Sequence, residues 1–163
     1  MTTLIETLAA VPKDSRLGEA LRARTEILRL SEAAHDAVLV PRDPGGVSHA
    51  LRAALAARMC RHVGNDELAQ HYDGYLAHIG DAEVAPLAEP GGLSGDPLLN
   101  AMARHADLLT LAPRDATRAD IAALTSAGLA EADIVRLAEL AAFVNYQLRV
   151  IAGLKLLKSV AVQ

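Results

Sequence analysis

The chain has 163 residues, of which 52% are apolar but only 2% aromatic, and its formal net charge is -4. This length is ordinary for a single domain with a sizeable core. The 16 basic and 20 acidic residues are mixed along the chain, which disfavours sequence-general nucleic-acid binding, because that function needs clustered Lys and Arg to neutralise phosphates.

The start of the chain, residues 1–16, lacks the basic region and the long apolar region of a signal peptide. No stretch of about 18 uninterrupted apolar residues is present, so no membrane-spanning segment is predicted. Cys60 is the only cysteine and can form no disulfide within one chain. We therefore expect a cytoplasmic location with no membrane partner.

Residues that start and stop helices predict an N-terminal arm, residues 1–14, followed by one all-α domain over residues 15–163. The apolar residues are mainly Ala, Leu, Val and Ile, and Ala and Leu are among the best helix formers. Segments rich in Pro and Gly at 41–46 and 81–95 separate the helices, most of which follow a residue with an N-capping side chain. About six helices are expected, at about 15–39, 49–63, 66–79, 96–111, 117–127 and 131–158.

The last predicted helix has apolar residues at alternating spacings of three and four, which is typical of a buried helix face. These residues are Ile134, Leu137, Ala141, Val144, Leu148 and Ile151. Further apolar residues widen the stripe, so this helix is expected to be buried in the domain or at a subunit interface. No segment shows the period of two that strands require.

Cys60 is the first candidate for chemistry, because Arg58, Arg61 and His62 are close to it in sequence. Cations lower the pKa of a thiol and make the thiolate available. Residues one or two apart do not share a helix face, however, and no second cysteine is present to resolve a sulfenic acid. Cys60 is therefore either a small buried apolar residue or a reactive thiol.

A polar cluster on the third predicted helix is the second candidate. Glu67 and His71 are four residues apart, as are His71 and Tyr75, so these side chains can share one face, with Tyr72 beside them. A carboxylate facing a histidine is an arrangement for a general base, and on a solvent-facing helix it is an ordinary exposed network. The six histidines show no metal-chelating spacing and no CxxC is present, so neither a metal nor another cofactor is expected.

Asn145 and Arg149 are four residues apart on the last helix and share a strip with small residues. Two polar groups among small residues indicate a tight, hydrogen-bonded contact with another helix. The alternative interpretation is that Arg149 binds the anionic group of a ligand.

Two stretches, residues 52–72 and residues 124–149, resemble the alkylhydroperoxidase D and carboxymuconolactone decarboxylase family. The first reads RAALAARMCRHVGNDELAQHY, and the second contains LTSAGLAEADI and AAFVNYQLR. The resemblance covers roughly residues 15–158 in the order of the helices. It implies a helical bundle and a homo-oligomer, a trimer or a hexamer.

The peroxidatic branch of that family has an Arg-Glu pair, a helix that ends in Gly, and then Cys-x-x-Cys-x-x-x-His. When this pattern is aligned through Arg52 and Gly64, the Glu falls on Ala53, the cysteines fall on Asn65 and Leu68, and the His falls on Tyr72. All four chemical groups are replaced. Neither sulfur step of peroxide reduction is available at these positions, so the resemblance does not imply peroxidase activity here.

The sequence thus predicts a divergent member of this family without the dithiol centre, acting as a small-molecule-binding homo-oligomer. One alternative is a non-catalytic subunit that partners a dithiol-bearing relative, and another is a cofactor-free decarboxylase or isomerase acting on a small carboxylic acid. The candidate catalytic residues are His71, Tyr72, Glu67 and Cys60, and the candidate substrate-binding residues are Asn65, Leu68 and Arg149.

Overall fold

The computed structural model describes residues 2–161, and these residues form an all-α fold without strands. Its helices are α1 (Leu4–Ala9), α2 (Arg16–Arg22), α3 (Thr25–Leu39), α4 (His49–His62), α5 (Asp66–Ile79), α6 (Pro97–Leu111), α7 (Arg118–Ser126) and α8 (Glu131–Ala161). Short 3-10 turns, Ala85–Ala88 and Pro113–Asp115, lie before and after α6. The all-α prediction is confirmed, but about six helices is too low a count, because the described part of the chain has eight.

Both additional helices arise near the N-terminus. In the predicted arm, the Thr3 hydroxyl accepts the Glu6 N–H while the Glu6 carboxylate accepts the Thr3 N–H, a capping box that starts α1. The predicted helix over 15–39 is divided into α2 and α3. At the division the Thr25 hydroxyl donates to the Arg22 carbonyl at 2.7 Å, which satisfies the end of α2 without a further helical turn.

Helix α4 is the centre of the fold. Every residue from Ala50 to Cys60 is buried, and α4 contacts α3, α5, α6 and α8. Its many alanines allow these neighbours to approach closely. Its start agrees with the sequence prediction, since the Ser48 hydroxyl accepts the Leu51 N–H at 3.2 Å.

Arg52 on α4 fixes the connection from α3 to α4. Arg52 is 2% exposed, and its guanidinium donates to three backbone carbonyls at 2.8–3.2 Å, those of Val38, Pro44 and Val47. The Gly46 N–H in the same connection donates to the Asp133 carboxylate of α8 at 2.9 Å. A Cβ at Gly46 would lie 2.5 Å from that carboxylate, so a larger residue there would displace the Asp133 side chain.

Arg58, nearly two turns further along α4, fixes the connection from α5 to α6. It makes a bidentate ion pair with Asp107 of α6 at 2.6 and 2.7 Å. Its Nη1 also donates to three carbonyls of the connection, those of Leu87, Glu89 and Gly92. His62 Nε2 lies 2.7 Å from the same Asp107 carboxylate.

Helix α8 contacts α1, α3, α4, α6 and α7. The six apolar residues predicted for its buried face are all buried. By length and composition α8 would be able to cross a membrane, but half of the relevant segment is buried inside the fold, as in the core helices of many proteins. Other large apolar side chains of α8 are exposed, namely Val135, Tyr146, Leu156, Leu157 and Val160.

Helix α1 packs against α8 at the other end of the chain. Ile5 and Ala9 of α1 are buried. The Lys158 ammonium donates to the carbonyls of Ala9 and Ala10 at 3.0 and 3.3 Å, and so satisfies the C-terminal end of α1.

Candidate functional site

The aromatic residues of the chain, one Phe and three Tyr, are gathered in one place. They form a connected cluster with two histidines, and neighbouring ring centroids are 5.2–6.2 Å apart. The members of this aromatic cluster are His35 of α3, His71, Tyr72 and Tyr75 of α5, and Phe143 and Tyr146 of α8.

Helix α3 positions His35 on its buried face. That face consists of Leu28, Ser31, His35 and Leu39, which are three or four residues apart. His35 therefore occupies a place where an apolar residue is the norm, and it is 2% exposed. A polar ring buried to this extent requires hydrogen-bond partners, because the loss of water is otherwise uncompensated.

Both ring nitrogens of His35 have partners. Nδ1 lies 3.0 Å from a carboxylate oxygen of Asp36, and Nε2 lies 3.1 Å from Nε2 of His71. A carboxylate can only accept, so the His35 Nδ1 carries the proton and its Nε2 accepts. His71 then donates from its own Nε2. Its Nδ1 keeps a lone pair that has no protein partner within residues 2–161.

The environment keeps His71 neutral. Burial, and next the adjacent His35, lower the pKa of His71 to about 4. Its ring is uncharged at neutral pH, and the direction of the shift follows from the cost of placing a cation in a partly buried site. A neutral imidazole with one unpaired nitrogen can accept a proton from a bound molecule.

Tyr72 lies beneath the histidines and is completely buried. Its hydroxyl donates to the side-chain oxygen of Gln147 on α8. Burial raises the pKa of Tyr72 well above its usual value, and the neighbouring Cys60 and Tyr75 act in the same direction. Its hydroxyl therefore stays protonated and holds α5 against α8.

Cys60 is also completely buried. Burial raises the pKa of the Cys60 thiol far above its usual value, although the charge of Arg61 acts in the opposite direction. The Arg61 guanidinium is paired with Asp73 at 2.6 Å and 3.1 Å. The thiolate is the nucleophilic form of cysteine, so the folded subunit holds Cys60 in its unreactive form.

Asn65 and Leu68, which align with the family cysteines, both have structural roles. Leu68 is completely buried in the core. The Asn65 side-chain oxygen accepts the Leu68 N–H at 3.1 Å and caps α5. The cavity between α1, α2 and α3 and the cavity beside the end of α5 are both lined by other residues.

Glu67 and His71 do not form the predicted pair. The Glu67 carboxylate pairs with Lys155 of α8 at 2.5 Å, in an exposed position. It shares no hydrogen bond with His71 within the described residues. The partner of His71 is His35 instead.

Arg149 and Asn145 do interact, as their spacing predicts. Arg149 Nη1 donates to the backbone and side-chain oxygens of Asn145 at 2.9 and 3.0 Å. The Asn145 amide in turn donates to Thr110 of α6 at 3.2 Å, so this pair helps to join two helices. Arg149 itself is exposed.

Within residues 2–161, no group of three or more His, Cys, Asp or Glu side chains is placed to hold a metal ion. Comparison of the chain with models of protein families, with curated proteins and with solved structures gives no match. The resemblance to the alkylhydroperoxidase D and carboxymuconolactone decarboxylase family therefore rests on the residues quoted for it and stays a prediction.

Five members of the site lie outside the residues that the sequence predicted, namely His35, Asp36, Phe143, Tyr146 and Gln147. One signal for His35 was available, because it falls on the apolar face of α3 together with Leu28 and Leu39. Its partner was not visible in the sequence, since His71 follows 36 residues later and local spacing does not show that contact.

Proposed function

We propose that this chain is a small-molecule-binding homo-oligomer whose site works by proton transfer rather than by thiol chemistry. It would be a divergent relative of the family that it resembles. The observation that carries the proposal is the 3.1 Å contact between the Nε2 atoms of His35 and His71. This contact leaves a basic nitrogen of His71 available to a ligand.

The proton path follows from the tautomers. His71 Nδ1 accepts a proton from the ligand as the proton on His71 Nε2 passes to His35 Nε2, so His71 stays neutral throughout. His35 then carries the positive charge beside the Asp36 carboxylate, 3.0 Å from its Nδ1. The charge thus avoids His71, whose pKa is about 4, and lies on a ring with an adjacent anion.

The ligand class that we propose is a small unsaturated carboxylic acid. The partly exposed rings of the aromatic cluster, those of His71, Tyr75 and Phe143, offer an apolar surface to a flat ligand. Removal of a proton next to a carbonyl group is a reaction that needs a base and no cofactor. This assignment corresponds to the decarboxylase or isomerase alternative.

Nitrogen NMR of the histidine rings tests the tautomers. At pH 6 we expect His71 to be neutral with its proton on Nε2, and muconolactone added as probe should shift the His71 ring signals. His71→Gln should abolish the response, and His78→Gln, an exposed histidine of the same helix, should leave it intact. A His71 proton on Nδ1, or no response to the probe, would refute the proposal.

The absence of thiol chemistry is tested separately with cumene hydroperoxide and dithiothreitol. The wild type and Cys60→Ala should consume the hydroperoxide at the same background rate, because the buried thiol stays protonated. A rate that falls in Cys60→Ala would show that Cys60 turns over and would overturn this part of the proposal.

Self-association is supported by the exposed apolar side chains of α8, which are 41–65% exposed in a single subunit. Analytical ultracentrifugation should show an oligomer of the wild type. Leu156→Glu should dissociate it, while Leu93→Glu, in a connecting segment with a similarly exposed side chain, should not. A monomeric wild type would exclude the oligomer.

A further inference from the structure

A cavity of about 530 Å³ opens between α1, α2 and α3, and it contains neither histidine of the aromatic cluster. Its apolar surface is formed by Val11, Leu21 and Leu28. This volume lies within the range of binding sites for small molecules, which typically combine an apolar lining with a few polar groups. Apolar side chains that line a concave, water-filled space favour the entry of an apolar ligand group.

The walls of the cavity are fixed before any ligand binds. Helix α1 is anchored in the core by Ile5 and Ala9, while Glu6 and the preceding Thr3 line the cavity. The Leu4 N–H donates to the Glu32 carboxylate of α3 at 3.0 Å, which links two walls directly. A preformed site avoids the entropy cost of ordering its walls.

Gly18 brings the segment before α2 against the cavity. A Cβ at residue 18 would lie 2.4 Å from the carbonyl oxygen of Pro12 and 2.8 Å from that of Lys13. Only glycine permits this close approach of two backbones. The approach makes Lys13 part of the cavity lining.

The charged side chains around the cavity differ in how many of their hydrogen bonds are already made within the protein. Glu6 accepts hydrogen bonds from the N–H and hydroxyl of Thr3, both at 2.8 Å, and Glu32 accepts the Leu4 N–H. By contrast, the Lys13 ammonium has no hydrogen-bond or ion-pair partner within residues 2–161. Of the guanidinium nitrogens of Arg22, only Nη1 has a partner there, the Lys13 carbonyl.

We propose that this cavity binds a small amphipathic carboxylic acid. Its apolar chain would lie against Leu21 and Leu28, and its carboxylate would meet Lys13 and Arg22. A monoanion suits the site better than a phosphate dianion, because Glu6 and Glu32 line the same space and repel additional negative charge. This site is separate from the proton-transfer site and does not depend on it.

Calorimetric titration of the full chain with decanoate, below the concentration at which it forms micelles, tests the proposal. We expect saturable binding at one site per subunit. Lys13→Met should weaken decanoate binding by about fivefold, the effect of losing one exposed ion pair. Lys155→Met is the matched control, because Lys155 lies on α8 outside this cavity and pairs with Glu67. No saturable binding, or equal weakening by both variants, would overturn the proposal.

Further titrations locate the ligand and identify its head group. 1-Decanol should bind wild type and Lys13→Met equally, and Leu21→Trp, which fills the cavity, should remove the binding of both ligands. If this variant binds decanoate like the wild type while its circular dichroism shows intact helices, the cavity is the wrong site. Should Leu21→Trp fail to fold, the two lysine variants decide alone. Tighter binding of decyl phosphate than of decanoate would refute the carboxylate assignment.

Discussion

The arginines of α4 and the histidine pair between α3 and α5 are both polar groups placed within the fold, but they differ in how fully their hydrogen bonds are used. Arg52 donates to three carbonyls, and Arg58 donates to one carboxylate and three carbonyls. His71, by contrast, uses only one of its two ring nitrogens within residues 2–161.

This difference separates scaffold from candidate site. Buried polar groups are usually satisfied, and no buried side-chain nitrogen or oxygen within residues 2–161 lacks a hydrogen-bond partner, so the groups that can still bind a ligand are those open to solvent. The arginines hold two connections in place and have little capacity left for a ligand. In the part of the chain that the structure describes, His71 has one ring nitrogen free to bind a ligand at the edge of the aromatic cluster, and the Lys13 ammonium is free to bind a ligand beside the cavity. The predictions below test this distinction in order of expected effect.

The largest effect is expected for Arg58→Met. The variant removes the bidentate partner of Asp107, which keeps only its contact with His62 among the described residues, and it removes the guanidinium donor to three carbonyls. Removing one member of a largely buried ion pair typically costs about 3–5 kcal/mol. Urea denaturation should show a loss of this size. Arg104→Met, at an exposed position of α6, should change the free energy of unfolding little, and a similar loss in both variants would contradict the scaffold role.

The next effect is expected for Tyr72→Phe. The Gln147 side-chain oxygen would lose its donor in a completely buried place, and an unsatisfied buried acceptor costs about 1–3 kcal/mol. Tyr146→Phe also removes a hydroxyl contact, to Ser31 at 2.8 Å, but Tyr146 is exposed and water can replace the contact. Denaturation midpoints should therefore fall further for Tyr72→Phe, and the reverse order would count against the scaffold assignment of Tyr72.

A smaller effect is expected for Asn65→Ala. Loss of an N-cap side chain typically costs about 1 kcal/mol, and Asn65 caps α5 through the Leu68 N–H. Gln70→Ala, at an exposed position within α5, is the control and should be close to neutral. Should Asn65→Ala leave the thermal midpoint unchanged while it weakens muconolactone binding, Asn65 belongs to the ligand site rather than to the scaffold.

The smallest effect is a pH dependence that arises from His71, because this ring is only partly buried and solvent reduces the contribution of its lowered pKa to stability. An unfolded imidazole binds a proton below about pH 6.5, whereas the folded His71 does so only near pH 4. Between these values the unfolded state binds more protons, so the contribution is fully present above pH 6.5 and is lost as the pH falls toward 4. His71→Gln should flatten the decline in urea midpoint between pH 7 and pH 5, and His78→Gln should not. Equal slopes in both variants would show that His71 titrates normally.

The sequence was sufficient for the helices that begin and end with local signals. Ser48, Asn65 and Asp96 each cap the helix that was predicted to follow them. The sequence did not predict the break between α2 and α3 at residues 22–25. The hydrogen bond from the Thr25 hydroxyl to the Arg22 carbonyl forms only in the folded backbone and is not visible in the sequence. The spacing of Glu67 and His71 correctly placed both on one helix, but it gave the wrong hydrogen-bond partner for His71. The actual partner is His35, and that contact depends on how α3 packs in the fold.

The attachment of α1 to α8 has a consequence for the order of folding. The Lys158 contact with Ala9 spans 149 residues of the sequence. During synthesis α1 leaves the ribosome long before the helix on which it docks, and contacts so distant in sequence form slowly. The cavity between α1, α2 and α3 therefore acquires its wall in a late step. A nascent chain that ends before Lys158 would lack the contact that holds this wall of the cavity in place.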